Sequence, residues 1–282
     1  MVESTEKGSR TFGQFVGDLA RSFFRALGEV VERVDALSLE DKQEAKDAII
    51  ALLSASGRHT ETIKLLTKQD DELRRVLSDR GWWVLQKDIN GPVKRELLRL
   101  GREEKTDQID AYLCALFNDN DGARLKAKTE TWLEVPYLAE RKQIILDSLE
   151  AHRSGKWTLS IPALLPLIDG IVRRFRRERL RRSKNQGRTM HVDKFTEYYR
   201  RKQPKHFGGS FASFVHKHMF ATYDFNNGIP PSSINRHGIM HGEISDYATE
   251  ANSLRVFLLL DTIAQFIRAI ERSRNTAAKL KR

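Results

Sequence analysis

A single cysteine, Cys114, is all the thiol chemistry in the 282 residues. One thiol cannot close an intramolecular disulfide or build a Cys-based zinc site, and this fits a reducing, cytoplasmic setting. Within Tyr112-Leu113-Cys114-Ala115-Leu116 it reads as a small buried residue. Long apolar runs are also missing. Ala48 to Leu53 and Val256 to Leu260 are the longest, far short of the roughly 20 residues that cross a bilayer, so no membrane span is expected. The first apolar stretch, Phe12 to Leu27, is broken by Asp18, Arg21 and Arg25, which argues against a secretory core and for an amphipathic helix. Extended alternation of apolar and polar residues, the mark of strands, is scarce. Asn118-Asp119-Asn120-Asp121-Gly122 lacks the spacing and closing Glu of a calcium loop and reads as a solvated turn.

What is present is helical periodicity and positive charge. The hydrophobic content of 40% suffices for a buried core. Apolar residues recur at steps of three and four from Phe12 to Val34, after a capping signal at Ser38 through Leu53, and from Thr60 to Leu77. Further helices are expected over 93–101, 106–117 and 135–152, from Pro162 into the basic stretch that follows, over 210–223, and from a Thr249 N-cap onward. The fold class is therefore all-α. Ser154-Gly155-Lys156 breaks the pattern, and a boundary near residue 155 divides an N-terminal helical domain, 1–155, from a C-terminal one, 156–282. Lys and Arg total 49 against 38 Asp and Glu, a net charge of +11, which points to a polyanionic partner. Nine basic residues and one acid, Glu178, lie between Arg173 and Arg188. Arg173, Arg174, Arg176, Arg177, Arg179, Arg181, Arg182 and Lys184 are the candidate nucleic-acid contacts. The alternative is a solvated face with Phe175 and Leu180 turned inward.

The candidate chemistry lies at Arg236-His237-Gly238-Ile239-Met240-His241, after Pro230-Pro231-Ser232-Ser233, a helix-start signal with a serine to cap it. On a helix His237 and His241 share a face. Arg236 and His241, five apart, are separated by roughly 140°, so a second copy of the segment would ease their cooperation. These residue types suit RNA cleavage without a metal. The 2′-hydroxyl of the substrate is the nucleophile, histidine moves protons near neutrality, and a forked arginine offsets charge on the phosphorane. Capping and packing of a helix end is the competing role for the same three side chains.

The segment resembles the signature of HEPN domains, an Arg, a polar residue and a His with four to six residues between Arg and His; here there are four. Asn235 before the Arg, the His-Gly pair after it, and the apolar helix that follows are similar too, as is Ile161 to Val172 to the opening helix of such modules. The resemblance covers about residues 157–273. It implies a four- or five-helix bundle, a homodimer formed through the C-terminal domain, no cofactor, and cleavage that leaves a 2′,3′-cyclic phosphate. It also implies a role in phage defence, toxin activity or RNA processing. Carried over, Arg236 holds the phosphate, His241 is the acid or base, and His237 orients them. Some HEPN proteins bind without cutting, so a silent RNA-binding or protein-interaction module, such as an antitoxin, is the alternative. A DNA-directed regulator is a weaker one, because no helix-turn-helix pattern stands out.

Other residues fit metal chemistry poorly. His216 and His218 flank Lys217 and point apart on a helix, and His237-x-x-x-His241 carries Gly238 where a zinc-protease motif has Glu. Tyr198 and Tyr199, before Arg200, Arg201 and Lys202, are suited to stacking on bases or to packing. Trp82 and Trp83 are assigned to core or pocket equally. The N-terminal domain is expected to sense or regulate, with a regulatory protein as its partner.

Overall fold

The computed structural model describes residues 60–179, 191–202, 205–230 and 232–279, and among them no strand occurs. Ten α-helices follow one another: α1 (Thr60–Asp79), α2 (Gly91–Arg102), α3 (Thr106–Trp132), α4 (Pro136–Ala139), α5 (Lys142–Arg153), α6 (Trp157–Arg179), α7 (His191–Lys202), α8 (Lys205–Val215), α9 (Arg236–Met240) and α10 (Glu250–Lys279). The two N-terminal helices expected before residue 54, and Arg181, Arg182 and Lys184, lie outside the described residues. The chain divides into two units, and one of them, Lys64–Arg274, contains every feature below. The expected boundary at residue 155 falls inside this unit, at a turn where Gly155 adopts φ +69°.

Local sequence chemistry sets the helix ends. Asn90 caps α2 by accepting from the Val93 N–H at 3.0 Å, with Pro92 in the first turn. Thr249 caps α10 by accepting from the Asn252 N–H at 3.1 Å. The Asn118–Gly122 turn is present, with Asn120, Asp121 and Gly122 at positive φ. Beyond it α3 resumes and runs to Trp132, a segment whose apolar positions are too sparse to announce a helix. α6 begins at Trp157, one and a half turns before the expected start at Pro162. Pro162 has no N–H for the carbonyl of Thr158 four residues back; that oxygen accepts weakly from the Tyr247 hydroxyl at 3.5 Å. α8 starts at Lys205, five residues before the expected start at 210, and so takes in Gly208-Gly209; after Val215 it loosens into one π-turn, His216–Phe220.

α10 is the central helix. Leu254, Val256, Phe257, Leu258, Leu259, Leu260, Ile263 and Ile267 are all buried, so the helix is apolar around its full circumference, as a helix enclosed by others must be. Its polar residues are correspondingly paired. Asp261, with no exposed surface, accepts from Trp132 Nε1 and Lys128 Nζ, each at 2.7 Å. Arg255 donates to both Asp110 oxygens at 2.8 Å and lies 4.6 Å above the Trp82 ring, whose Nε1 donates to Asp110 at 2.7 Å. His152 joins Ser253 Oγ at 2.8 Å and Asn118 Oδ1 at 3.1 Å. These buried polar links tie α3 and α5 to α10. An aromatic cluster of Phe175, Phe195, Tyr199, Phe211 and Phe266 joins α6, α7, α8 and α10.

Candidate active site

Arg236 to Met240 forms a single helical turn. Its N-cap is Asn235, not a serine. The Asn235 carboxamide, wholly buried, accepts from the Gly238 N–H at 2.9 Å and donates to the Ala221 carbonyl at 2.8 Å, so one side chain both starts the turn and anchors it to the preceding loop. The serines are used elsewhere. Ser232 Oγ donates to the His218 carbonyl at 2.5 Å and accepts from the Ile234 N–H at 3.2 Å, while Ser233 donates to Asn252 at 2.9 Å.

The turn is also shorter than the expected helix. His241 is its C-cap, and Gly242 follows at φ +77°, the left-handed conformation that ends helices at glycine. The N–H groups of Glu243 and Ile244 return to the Gly238 carbonyl at 2.8 and 3.2 Å. Ile244 then folds back over the turn. A Cβ on Gly238 would stand 2.5 Å from Ile244 Cδ1 and 3.0 Å from Tyr223 Cδ2, which is why glycine is needed here.

This geometry places the three motif residues. His237 and His241 share a face, with parallel rings whose centroids are 6.4 Å apart. His241 is exposed and His237 half-buried. Burial, then the charge of Arg236 and that of His241, lower the His237 pKa below 6.5, which favours a neutral ring at neutral pH. Arg236 donates to Asp169 Oδ2 on α6 at 3.1 Å, and both groups act electrostatically on His237. Asp169 is the one acid in the apolar run from Ile161 to Val172, and it is nearly buried. The same oxygen accepts from Arg173 Nε at 3.1 Å. Two guanidinium groups on one carboxylate leave a net positive charge at the α6–α9 junction, and Arg236 is held in a fixed position.

The candidate basic residues divide. Arg173 and Arg177 are exposed. Arg174 lies in an acidic setting: it donates to Glu178 at 2.8 Å, pairs with Glu140, and its guanidinium sits 5.0 Å from the Tyr137 ring. Two carboxylates and one aromatic ring of the protein thus already engage the Arg174 guanidinium. Arg176 is half-buried. Arg179 closes α6. Tyr199 is buried against Phe211 and Phe266, and Tyr198 packs against Phe175 and Phe266, so both are packing residues. Trp82 and Trp83 are both core and cavity residues: each is buried, Trp83 against Phe211 and Phe214, and both line a small cavity with Asp70, Arg74 and Ile89. Cys114 is buried, and burial pushes its thiol up to about 12, so it carries no thiolate near neutrality. His218 is buried beside Phe214. Among the described residues no three His, Cys, Asp or Glu side chains converge on one point, and no helix is long and apolar enough to cross a membrane.

No family model, curated protein or solved structure matches this chain. Function is accordingly argued from the site itself. Asp169 and Asn235 are the positioning residues of the turn; Asn235 directly precedes the motif segment, and Asp169 comes from α6. The signal for Asp169 was present in the sequence as a lone acid on an apolar helix face, since such a charge demands a cationic partner from another element.

Proposed function

We propose that the chain is a metal-independent endoribonuclease of HEPN type that cleaves RNA through its own 2′-hydroxyl. The observation that carries this reading is that one short turn bears an arginine paired with Asp169 and two parallel imidazoles, the His241 ring exposed. The residues suit the chemistry. Arg236 and Arg173 bind the scissile phosphate and offset charge on the phosphorane. The 2′-hydroxyl gives its proton to an imidazole and attacks phosphorus, the bond to the 5′-oxygen breaks, and that oxygen takes a proton from a second imidazole. The products are a 2′,3′-cyclic phosphate and a 5′-hydroxyl. His241, the exposed ring, performs one proton transfer, and the His241 of a second copy in a homodimer performs the other; His237 orients the pair. Phage defence, toxin action or RNA processing is the setting proposed for such an activity.

The purified chain is expected to cleave single-stranded RNA in EDTA, to leave cyclic phosphate ends, and to spare a substrate with 2′-deoxyribose throughout. His241→Ala and Arg236→Ala should abolish cleavage while staying folded, His241→Ala with the wild-type melting curve and Arg236→Ala with a lowered one because Asp169 loses a partner. Cleavage at the wild-type rate in both variants would overturn the assignment, and tight RNA binding without any cleavage would replace it with the silent RNA-binding reading.

A further inference from the structure

Phe225 is 54% exposed, and its ring lies 5.5 Å from that of His241 at an interplanar angle of 85°. Isolated exposed apolar residues are ordinary on protein surfaces. This one is held in place. Buried Tyr223 packs against it at 4.9 Å. Its chain neighbour Asp224 closes a turn, accepting from the Asn226 N–H at 2.9 Å through its side chain and from the Gly228 N–H at 3.1 Å through its carbonyl, with the Asn227 carboxamide also on its carboxylate. Gly228 takes φ +64°, which lets that turn close. A half-exposed aromatic ring carried on a closed turn beside an exposed imidazole can receive something flat.

The charge around it says what. Arg236 and Arg173 share one carboxylate and so leave a positive surplus at the same turn, the setting for a phosphodiester backbone. A nucleobase has two flat faces, and an aromatic side chain beside a backbone track is how unpaired bases are bound without regard to their hydrogen-bonding edges. We infer that Phe225 is a stacking platform for the unpaired base next to the phosphate held at Arg236 and His241, so that the preferred substrate is single-stranded RNA. This rests on the ribonuclease reading of the motif, yet it is tested by binding alone.

The test uses the full chain and a short single-stranded oligoribonucleotide made uncleavable by 2′-O-methyl groups at every position, alongside copies with a single abasic site at each position in turn; affinity is read by fluorescence anisotropy. Phe225→Ala is expected to weaken binding about 5- to 150-fold, the range that loss of one stacked base produces. Phe225→Trp should bind as well as the wild type or better. An abasic site at one position should weaken the wild type by the same factor and the Phe225→Ala variant no further. Equal affinity of wild type and Phe225→Ala, or abasic losses that add fully to the Phe225→Ala loss at every position, would overturn the inference. So would conversion of a dimer to a monomer by Phe225→Ala in light scattering, because the ring would then be covered by a second copy. Failure of the ribonuclease reading is seen separately, as absent cleavage of all-ribose RNA by the wild type.

Discussion

His152 should make the stability of the folded chain depend on pH in a window where most carboxylates are silent. The imidazole is buried against Ser253, Asn118 and the Phe257 ring, and burial lowers its pKa from 6.5 to about 4. Neutral His152 fits a directed chain: Ser253 donates to Nδ1, and Nε2–H donates to Asn118 Oδ1, whose amide donates to Glu250 at 2.6 Å. Protonation forces both ring nitrogens to donate and breaks the Ser253 link. Because the folded pKa lies below the unfolded one, the unfolded chain binds more protons between them, so the stabilisation is complete above pH 6.5 and is lost as pH falls toward 4. The full difference is about 3 kcal/mol, and the part lost between pH 7.5 and pH 5 is about 2 kcal/mol. Urea unfolding at those two pH values, for wild type and His152→Gln, isolates the effect, since groups common to both chains cancel. The wild type should lose about 2 kcal/mol more than the variant. An equal loss in both would mean that His152 is not held neutral, and the hydrogen-bond directions drawn from it would fall.

Asp169→Asn removes the charge that holds Arg236 while preserving shape, and RNA cleavage should drop on the order of 100-fold, the cost of misplacing a group by about 1 Å; an unchanged rate would remove Asp169 from the site. Gly238→Ala sets a methyl against Ile244 and Tyr223 and should destabilise by about 1–3 kcal/mol in thermal melts, with cleavage falling in parallel because the turn itself shifts. Arg177→Ala should weaken RNA binding and reduce the slope of log affinity against log salt by about 0.7, the value for one phosphate contact on a single strand. Arg174→Ala should leave that slope unchanged, because Glu140 and Glu178 already neutralise it.

Much of this protein is determined locally, and that part was legible in the sequence. Helical periodicity needs only the spacing of apolar side chains, so the all-α class and the helices at 60–77, 93–101 and from Thr249 onward could be read directly. Caps at Thr249 and the turn at Asn118–Gly122 depend on residues within a few positions of one another. The motif residues were legible for the same reason, and the one-turn spacing that put His237 and His241 on one face is a property of the backbone alone. The serine cap failed because Ser232 and Ser233 found better partners, His218 and Asn252, far along the chain. The boundary at residue 155 was drawn on a local break in pattern, whereas Trp132 with Asp261, Asp110 with Arg255 and His152 with Ser253 join its two sides through burial that no local pattern records.

Charge shows the same division. Nine basic residues between Arg173 and Arg188 set a local surplus of positive charge, and counting sufficed for that. How each is paired depended on where acids come to lie in the fold: Glu140 pairs with Arg174, and Asp169 binds Arg173 and Arg236 together. Composition sets the total charge and periodicity sets the helices, because both are sums over the chain or over neighbours. The placement of Arg236 on Asp169, and of Phe225 against His241, was decided only when α6, the loop after Phe220 and α9 packed around α10, since side chains tens of residues apart meet through the core and not along the chain.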